Sequence, residues 1–339
     1  MSGGQGPLAA RMLVIAAAGA VVRSRYIVVG LVSAAHLLCS ALAAGCGAGG
    51  ASSPASATPS SSGPGSPTPS PPAAPDEVFV GAGDIAQCGI DNAEATAKLL
   101  DRIPGTVFTL GDNVQGTGSP EEYTQCYEPT WGRHRWRTFP TIGNHDFEGT
   151  GGRPYHAYFG TKSGPVGLAY YSYTLGAWHV VSLNSEIAAG SGSAQYEWLK
   201  ADLEEAGAAC ILATWHRPVF SSGPSGGSAR MRDVWQLLQQ YGADVVLNGH
   251  DHDYERFAPQ DVDGRAATSG IRQFVVGTGG YPLYGRATVR QNSEVWESRA
   301  WGVLRLTLKS GSYSWEFVPI AGQSFSDFGM GSCGPDIPR

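Results

Sequence analysis

Five short segments place metal-binding residue types directly after apolar runs. They are "GD" (83–84), "GDN" (111–113), "GNHD" (143–146), "WH" (215–216) and "GHDH" (249–252). Together they offer two carboxylates, one amide and several imidazoles: Asp84, Asp112, Asn144, His145, His216, His250 and His252. Oxygen and nitrogen donors without thiolate suit Zn, Mn, Fe or similar ions. A carboxylate able to bridge points to two ions about 3.5–4 Å apart. Such a pair cancels charge on phosphoryl oxygens, generates a hydroxide nucleophile and stabilises a leaving oxygen, and a further imidazole can protonate the leaving group. In an extended segment residues i and i+2 point the same way. "LNGHDHDYER" (247–256) is therefore expected to turn His250 and His252 to one side, and Asp251 and Asp253 to the other.

These residues need a scaffold that brings distant segments together. "EVFVGAGD" (77–84), "TVFTLGD" (106–112), "RTFPTIGNHD" (137–146), "ACILATWH" (209–216) and "ADVVLNGH" (243–250) read as buried strands ending in the loaded positions. "DNAEATAKLLDRI" (91–103) has helical spacing and opens with Asp91 and Glu94 in a capping-box-like start. "SAQYEWLKADLEEAG" (193–207) and "ARMRDVWQLLQQYG" (229–242) predict two more helices. "AYYSYTLGAWHVVSLNSE" (169–186) reads as a hairpin, and "IRQFVVGTGG" (271–280) and "WGVLRLTLKSGSYSWEFVPI" (301–320) as further strands. Strands alternating with helices early, and hairpins late, predict a layered α/β sandwich with mixed sheets. In open α/β sheets, sites form at the carboxyl ends of strands.

The five blocks resemble those of the calcineurin-like metallophosphoesterase superfamily, and "GHDHDYER", "GTGG" (277–280) and "WGVLRLTL" (301–308) look like its purple acid phosphatase branch. The resemblance covers roughly residues 76–325 and implies a four-layer α/β/β/α sandwich with two mixed β-sheets. It implies two divalent or trivalent metal ions, Fe, Zn or Mn. Asp84 and His252 would ligate the first, Asp112 would bridge both, and Asn144, His216 and His250 would ligate the second. His145 would be the general acid in attack on a phosphate ester by metal-bound hydroxide. Two positions depart from the family pattern. Ala86 stands where many members have His, and Gln115 where purple acid phosphatases have Tyr. Gln87 or Gln115 could supply the missing ligand through a side-chain oxygen, or water could. Without a phenolate, no purple Fe(III) colour is expected.

Phosphomonoester hydrolysis is the leading function. The alternatives are a phosphodiesterase acting on nucleotides or lipid head groups, and a catalytically impaired cell-surface protein that binds metal or phosphate. Arg217 and Tyr254 lie beside ligands and could face substrate, whereas Glu255 and Arg256 fit structural hydrogen bonds. "CYEPTWGRHRWR" (126–137) fits either a pocket wall or a packed loop. His36, His134, His156 and His179 carry no supporting pattern.

The 339 residues include 47 Gly and 22 Pro, with only 15% charged. Globular domains average about 25% charged, so part of the chain is expected not to be globular. "RSRY" (23–26) followed by the apolar "IVVGLVSAAHLLCSALAAGC" (27–46) has the order of a secretory signal. Small residues lead to Cys46, as in a bacterial lipoprotein leader (1–46) whose Cys becomes lipidated. Simple cleavage and release, or an uncleaved anchor, remain alternatives. Residues 47–75 are nearly all Gly, Ala, Ser, Thr and Pro, a disordered linker. The catalytic domain would span 76–339, exported to the outer face of the cytoplasmic membrane or secreted. Four cysteines fall in it, Cys88, Cys126, Cys210 and Cys333, and in an exported domain these suggest disulfides. Of three possible pairings, Cys88 with Cys126 is favoured because both follow strand ends expected to be neighbours, which leaves Cys210 to tie the C-terminal tail. The net charge of −6 argues against nucleic acid as a partner.

Overall fold

The computed structural model describes residues 74–334. The leader with Cys46 and the linker up to residue 73 lie outside the described residues, as do 335–339.

Thirteen strands, numbered in chain order, form two sheets among the described residues. The first sheet holds β1 (Glu77–Ala82), β2 (Thr106–Thr109), β3 (Thr138–Phe139), β11 (Gly302–Lys309), β12 (Ser312–Pro319) and β13 (Phe328–Ser332), in the order β13-β12-β11-β1-β2-β3. The second holds β4 (Tyr171–Leu175), β5 (Trp178–Ser182), β6 (Cys210–Thr214), β7 (Val245–Asn248), β8 (Tyr254–Phe257), β9 (Arg272–Val276) and β10 (Ser293–Glu297), in the order β10-β8-β9-β7-β6-β5-β4. Both are mixed. β1, β2 and β3 run parallel, as do β5, β6, β7 and β9, while the late hairpins pair antiparallel.

Parallel neighbours need crossovers, and helices supply them. Asn92–Leu100 joins β1 to β2, Ala194–Ala206 joins β5 to β6, and Arg232–Gln240 follows β6 and leads to β7. Strands buried on both faces need apolar side chains at both parities. Val180, Leu212 and Leu247 join Phe79, Leu304 and Phe317 in the core shared by the two sheets. Their neighbours Val181, Ile211 and Val246 pack instead with Leu199, Leu203, Trp235 and Leu238 of the outer helices. Ala93, Ala97 and Leu100 of the first helix pack into the core that holds β1 and β2. The fold is the expected sandwich of two mixed sheets flanked by helices.

Three local expectations are corrected. Asp91 has helical backbone angles and makes no capping bond with its side chain, and Glu94 turns instead to Arg133. "GHDHD" is not extended: His250 has φ 72°, and the amides of Asp251 and Asp253 each bond the carbonyl two residues back. The 126–137 segment is not a loop but largely helical, with a 3-10 helix over Trp131–Arg137; Tyr127 and Trp131 are fully buried, Trp136 is exposed, and Trp131 Nε1 donates to Thr96 Oγ1 at 3.0 Å. Both expected disulfides are present, Cys88–Cys126 and Cys210–Cys333. Among the described residues no helix is long and apolar enough to cross a membrane.

Candidate metal centre

Parallel pairing brings the carboxyl ends of β1, β2 and β3 to one end of the first sheet, and those of β6 and β7 to one end of the second. Asp84, Asp112, Asn144, His216 and His250 all lie within five residues of these ends. Asp84, Asp112 and His250 adopt left-handed φ of 59°, 48° and 72°. Each such residue costs on the order of 1–3 kcal/mol unless its surroundings hold it. The two carboxylates do this. Asp84 Oδ2 accepts from the His250 amide at 2.8 Å, and Asp112 Oδ1 accepts from the His145 amide at 2.8 Å. Each thus fixes a neighbouring loop with one oxygen and leaves the other for the centre. Gly143 is required by close approach, since a Cβ there would lie 2.2 Å from Asp112 N and Oδ1.

His216 Nδ1 lies 2.8 Å from the Leu110 carbonyl, which can only accept, so the proton sits on Nδ1. Its Nε2 then faces Asp112 Oδ2 at 3.1 Å, Asn144 Oδ1 at 3.1 Å and His250 Nδ1 at 3.2 Å. His252 repeats the device. Nδ1 donates to the Pro282 carbonyl at 2.9 Å, and Nε2 faces Asp84 Oδ1 at 3.3 Å. Oxygen and nitrogen atoms converging in this way repel one another unless a proton or a cation lies among them. Burial opposes charge on both Asp112 and His216, yet their mutual attraction wins, holding the carboxyl down to about 2 and the imidazole up to about 10, so His216 Nε2 is a place for positive charge, either a proton or an ion in its stead. Burial, then His216 and Arg217, drive His250 down to about 3, which keeps its ring neutral, and Arg217 Nη1 donates to its Nε2 at 3.0 Å. Asp112, His216 and His250 offer atoms all within 4.8 Å of one another. A second group, Asp84 with His252, stands beside them, and Gln115 Nε2 lies 3.5 Å from Asp84 Oδ1 while its Oε1 is buried without a hydrogen-bond partner among the described residues. The donor set fits two ions.

His145 stands at the rim, with Nε2 4.0 Å from Asp112 Oδ2. Arg217 lines a cleft of about 310 Å³ with Pro218, Ser225, Gly227, Ser228 and His250. One residue singled out in the sequence lies elsewhere. Tyr254 is fully buried and donates to Asp327 Oδ2 at 2.6 Å, because β8 turns it into the core. Gln87 is exposed on the loop before Cys88. Asp251 and Asp253 are structural, accepting from Ser225 N at 3.0 Å and Trp296 Nε1 at 2.8 Å. Glu255 accepts from Ser222 N at 2.7 Å and Arg256 grips Asp327, both structural as expected. Sequence reasoning missed Glu186, which holds Arg217 Nε at 3.0 and 3.1 Å, although "LNSE" at the end of β5 was a usable signal. It also missed Tyr284, whose ring stacks on His252 at 4.0 Å from an exposed loop with no pattern to mark it.

The sequence profile of the calcineurin-like phosphoesterase family matches residues 78–254, which takes in all of these donors. The chain belongs to this family. Within the calcineurin-like phosphoesterases its similarities fall in the purple acid phosphatase-like branch. It is 29% identical to purple acid phosphatase 15 of Arabidopsis thaliana over 49% of this chain and 38% of that protein. It is 27% identical to purple acid phosphatase 18 of the same plant, over 62% of this chain and 51% of that protein. The chain thus spans about half, or less, of the length of these relatives. A purple acid phosphatase from yellow lupin (Lupinus luteus) seeds shares the fold, with a TM-score of 0.64 and 20% identity over 78% of this chain and 55% of that one.

Proposed function

We propose that this chain is an exported, metal-dependent phosphoric ester hydrolase acting on phosphomonoesters. The carrying observation is the convergence of Asp112 Oδ2, Asn144 Oδ1 and His250 Nδ1 on His216 Nε2, each within 3.2 Å. Asn144, His216 and His250 would hold one ion, Asp84 and His252 the other, and Asp112 both. When bound, the ions, Fe, Zn or Mn, neutralise the phosphoryl oxygens and activate the attacking water.

The chain's own groups supply the rest. Arg217, steadied by Glu186, presents its guanidinium to the cleft, where it can orient a phosphate oxygen. His145 Nδ1 faces the Gly116 carbonyl at 2.8 Å, so Nε2 is the atom that delivers a proton to the departing alkoxide. The two disulfides support export, because such bonds persist in oxidising compartments. Lipidation of Cys46 would then tether the domain through the 47–75 linker.

The test is bound metal per chain after purification without chelator, with turnover of an aryl phosphomonoester beside an aryl phosphodiester. About two ions and a monoesterase that falls by roughly 10²-fold or more in His145→Ala support the proposal. Diester preference would replace the monoester assignment. No turnover after adding Mn, Zn or Fe would overturn catalysis and leave a binding protein.

A further inference from the structure

The His145 amide is anchored on Asp112, but an anchored backbone does not aim a ring. The side chain is 41% exposed, so packing does not fix it either. Its ring hydrogen-bonds the Gly116 carbonyl, 2.8 Å from Nδ1, while Nε2 keeps only the longer 4.0 Å approach to Asp112 Oδ2. The aim of Nε2 therefore depends on how firmly Gly116 is held.

Gly116 opens the run Gly-Thr-Gly-Ser (116–119), in which Gly116 and Thr117 are exposed. Glycine-rich backbone is costly to order, so something must hold it. The Glu122 carboxylate does. It accepts from Ser119 N at 2.8 Å and from Thr117 N at 3.0 Å, and the Glu122 amide donates back to Ser119 Oγ at 3.2 Å. A Cβ on Gly116 would lie 1.5 Å from Glu122 Oε1, so the carboxylate rests against Gly116 itself. Gly118, at φ 66°, closes the far side, where a Cβ would lie 2.5 Å from the His145 carbonyl. The exchange between Ser119 and Glu122 is a capping box. The bond to Thr117 goes beyond capping and reaches the loop that carries Gly116.

We propose that Glu122 is a positioning residue for His145, holding the Gly116–Ser119 loop so that the Gly116 carbonyl keeps Nε2 aimed at the leaving group. The inference rests on His145 acting as the general acid.

The test uses leaving-group dependence on the full chain. 2,4-Dinitrophenyl phosphate needs no proton on departure, whereas an alkyl phosphate does. In Glu122→Gln, kcat on the alkyl ester should fall about 10-fold, a fraction of the general-acid contribution, with under about 2-fold change on the dinitrophenyl ester. KM and bound metal should not change. Ser119→Ala weakens the cap but keeps the Thr117 bond. It should lower the melting temperature without leaving-group dependence. Equal loss on both esters, loss of metal, no loss, or the same selectivity in Ser119→Ala would each overturn the proposal. His145→Ala run in parallel separates the two ideas. If it lowers both esters alike, the general-acid reading fails and this inference with it. If it is selective and Glu122→Gln is not, this inference alone fails.

Discussion

Gln115 Nε2 lies 3.5 Å from Asp84 Oδ1, while Gln115 Oε1 is buried with no hydrogen-bond partner among the described residues. An amide turned over by half a rotation would present that oxygen to the same place as the carboxylate. A buried carbonyl oxygen left without a donor is costly unless a cation takes the donor's part. With the amide so turned, the chain would have a neutral oxygen where its purple relatives are expected to have a phenolate.

It follows that Gln115→Leu should weaken one of the two metal sites by roughly 10–100-fold and leave the other intact, read by titrating metal into the chelator-stripped protein. Gln115→Tyr loaded with iron should acquire a visible absorption band that the native protein lacks. Unchanged binding in Gln115→Leu would mean that water completes the site.

Tyr254 is a test of inward against outward orientation. Asp327 accepts from Tyr254 Oη at 2.6 Å, Arg256 Nε at 2.7 Å and Trp315 Nε1 at 3.1 Å. Tyr254→Phe removes one donor from a buried carboxylate and should cost about 1–3 kcal/mol in denaturant unfolding. KM should stay within about 2-fold, since the ring does not reach the cleft. A rise in KM without loss of stability would return Tyr254 to the substrate.

His156 gives a pH dependence independent of metal. Its Nε2 accepts from Gly167 N at 3.0 Å, Nδ1 faces Ser163 Oγ at 2.8 Å, and burial pushes its pKa below the ordinary 6.5. The unfolded chain takes a proton near pH 6.5 that the folded ring resists. The stability His156 contributes is therefore whole above that pH, and is lost as pH falls from there through the lower folded value. Between pH 8 and pH 5 the wild type should lose more stability than His156→Gln at matched metal content. Parallel curves would show that the ring is not held neutral.

The Cys210–Cys333 bond links the first residue of β6 to the segment after β13, so it staples one sheet to the other across 123 residues. Replacing both cysteines by Ala should cost roughly 2–4 kcal/mol through the freed unfolded chain. Hydrogen exchange should rise first in β13, the outer strand of its sheet. Turnover should be little changed, because neither sulfur is among the converging donors.

The donor residues were legible because metal chemistry depends on residue type, and each donor follows an apolar run that reads locally as a strand. The crossover helices and late hairpins followed from periodicity in the same way. The GHDHD turn was misjudged for a reason in the backbone: alternation holds only in extended chain, and His250 leaves it at φ 72°. The two imidazoles still reach the centre and the two acids still go to the scaffold, by a route that alternation did not describe.

What the sequence by itself determined is which atoms are available and that they sit at strand ends. Tertiary structure decided which atom of each residue faces inward. His216 shows its Nε2 because Leu110, 106 residues earlier, takes the Nδ1 proton. Gln115 stands beside Asp84, Tyr254 points into the core, and the Gly116 carbonyl meets the ring of His145, 29 residues on. Each of these choices depends on partners remote in the chain or on burial. Local propensity carries neither, because both arise only when the two sheets close on one another.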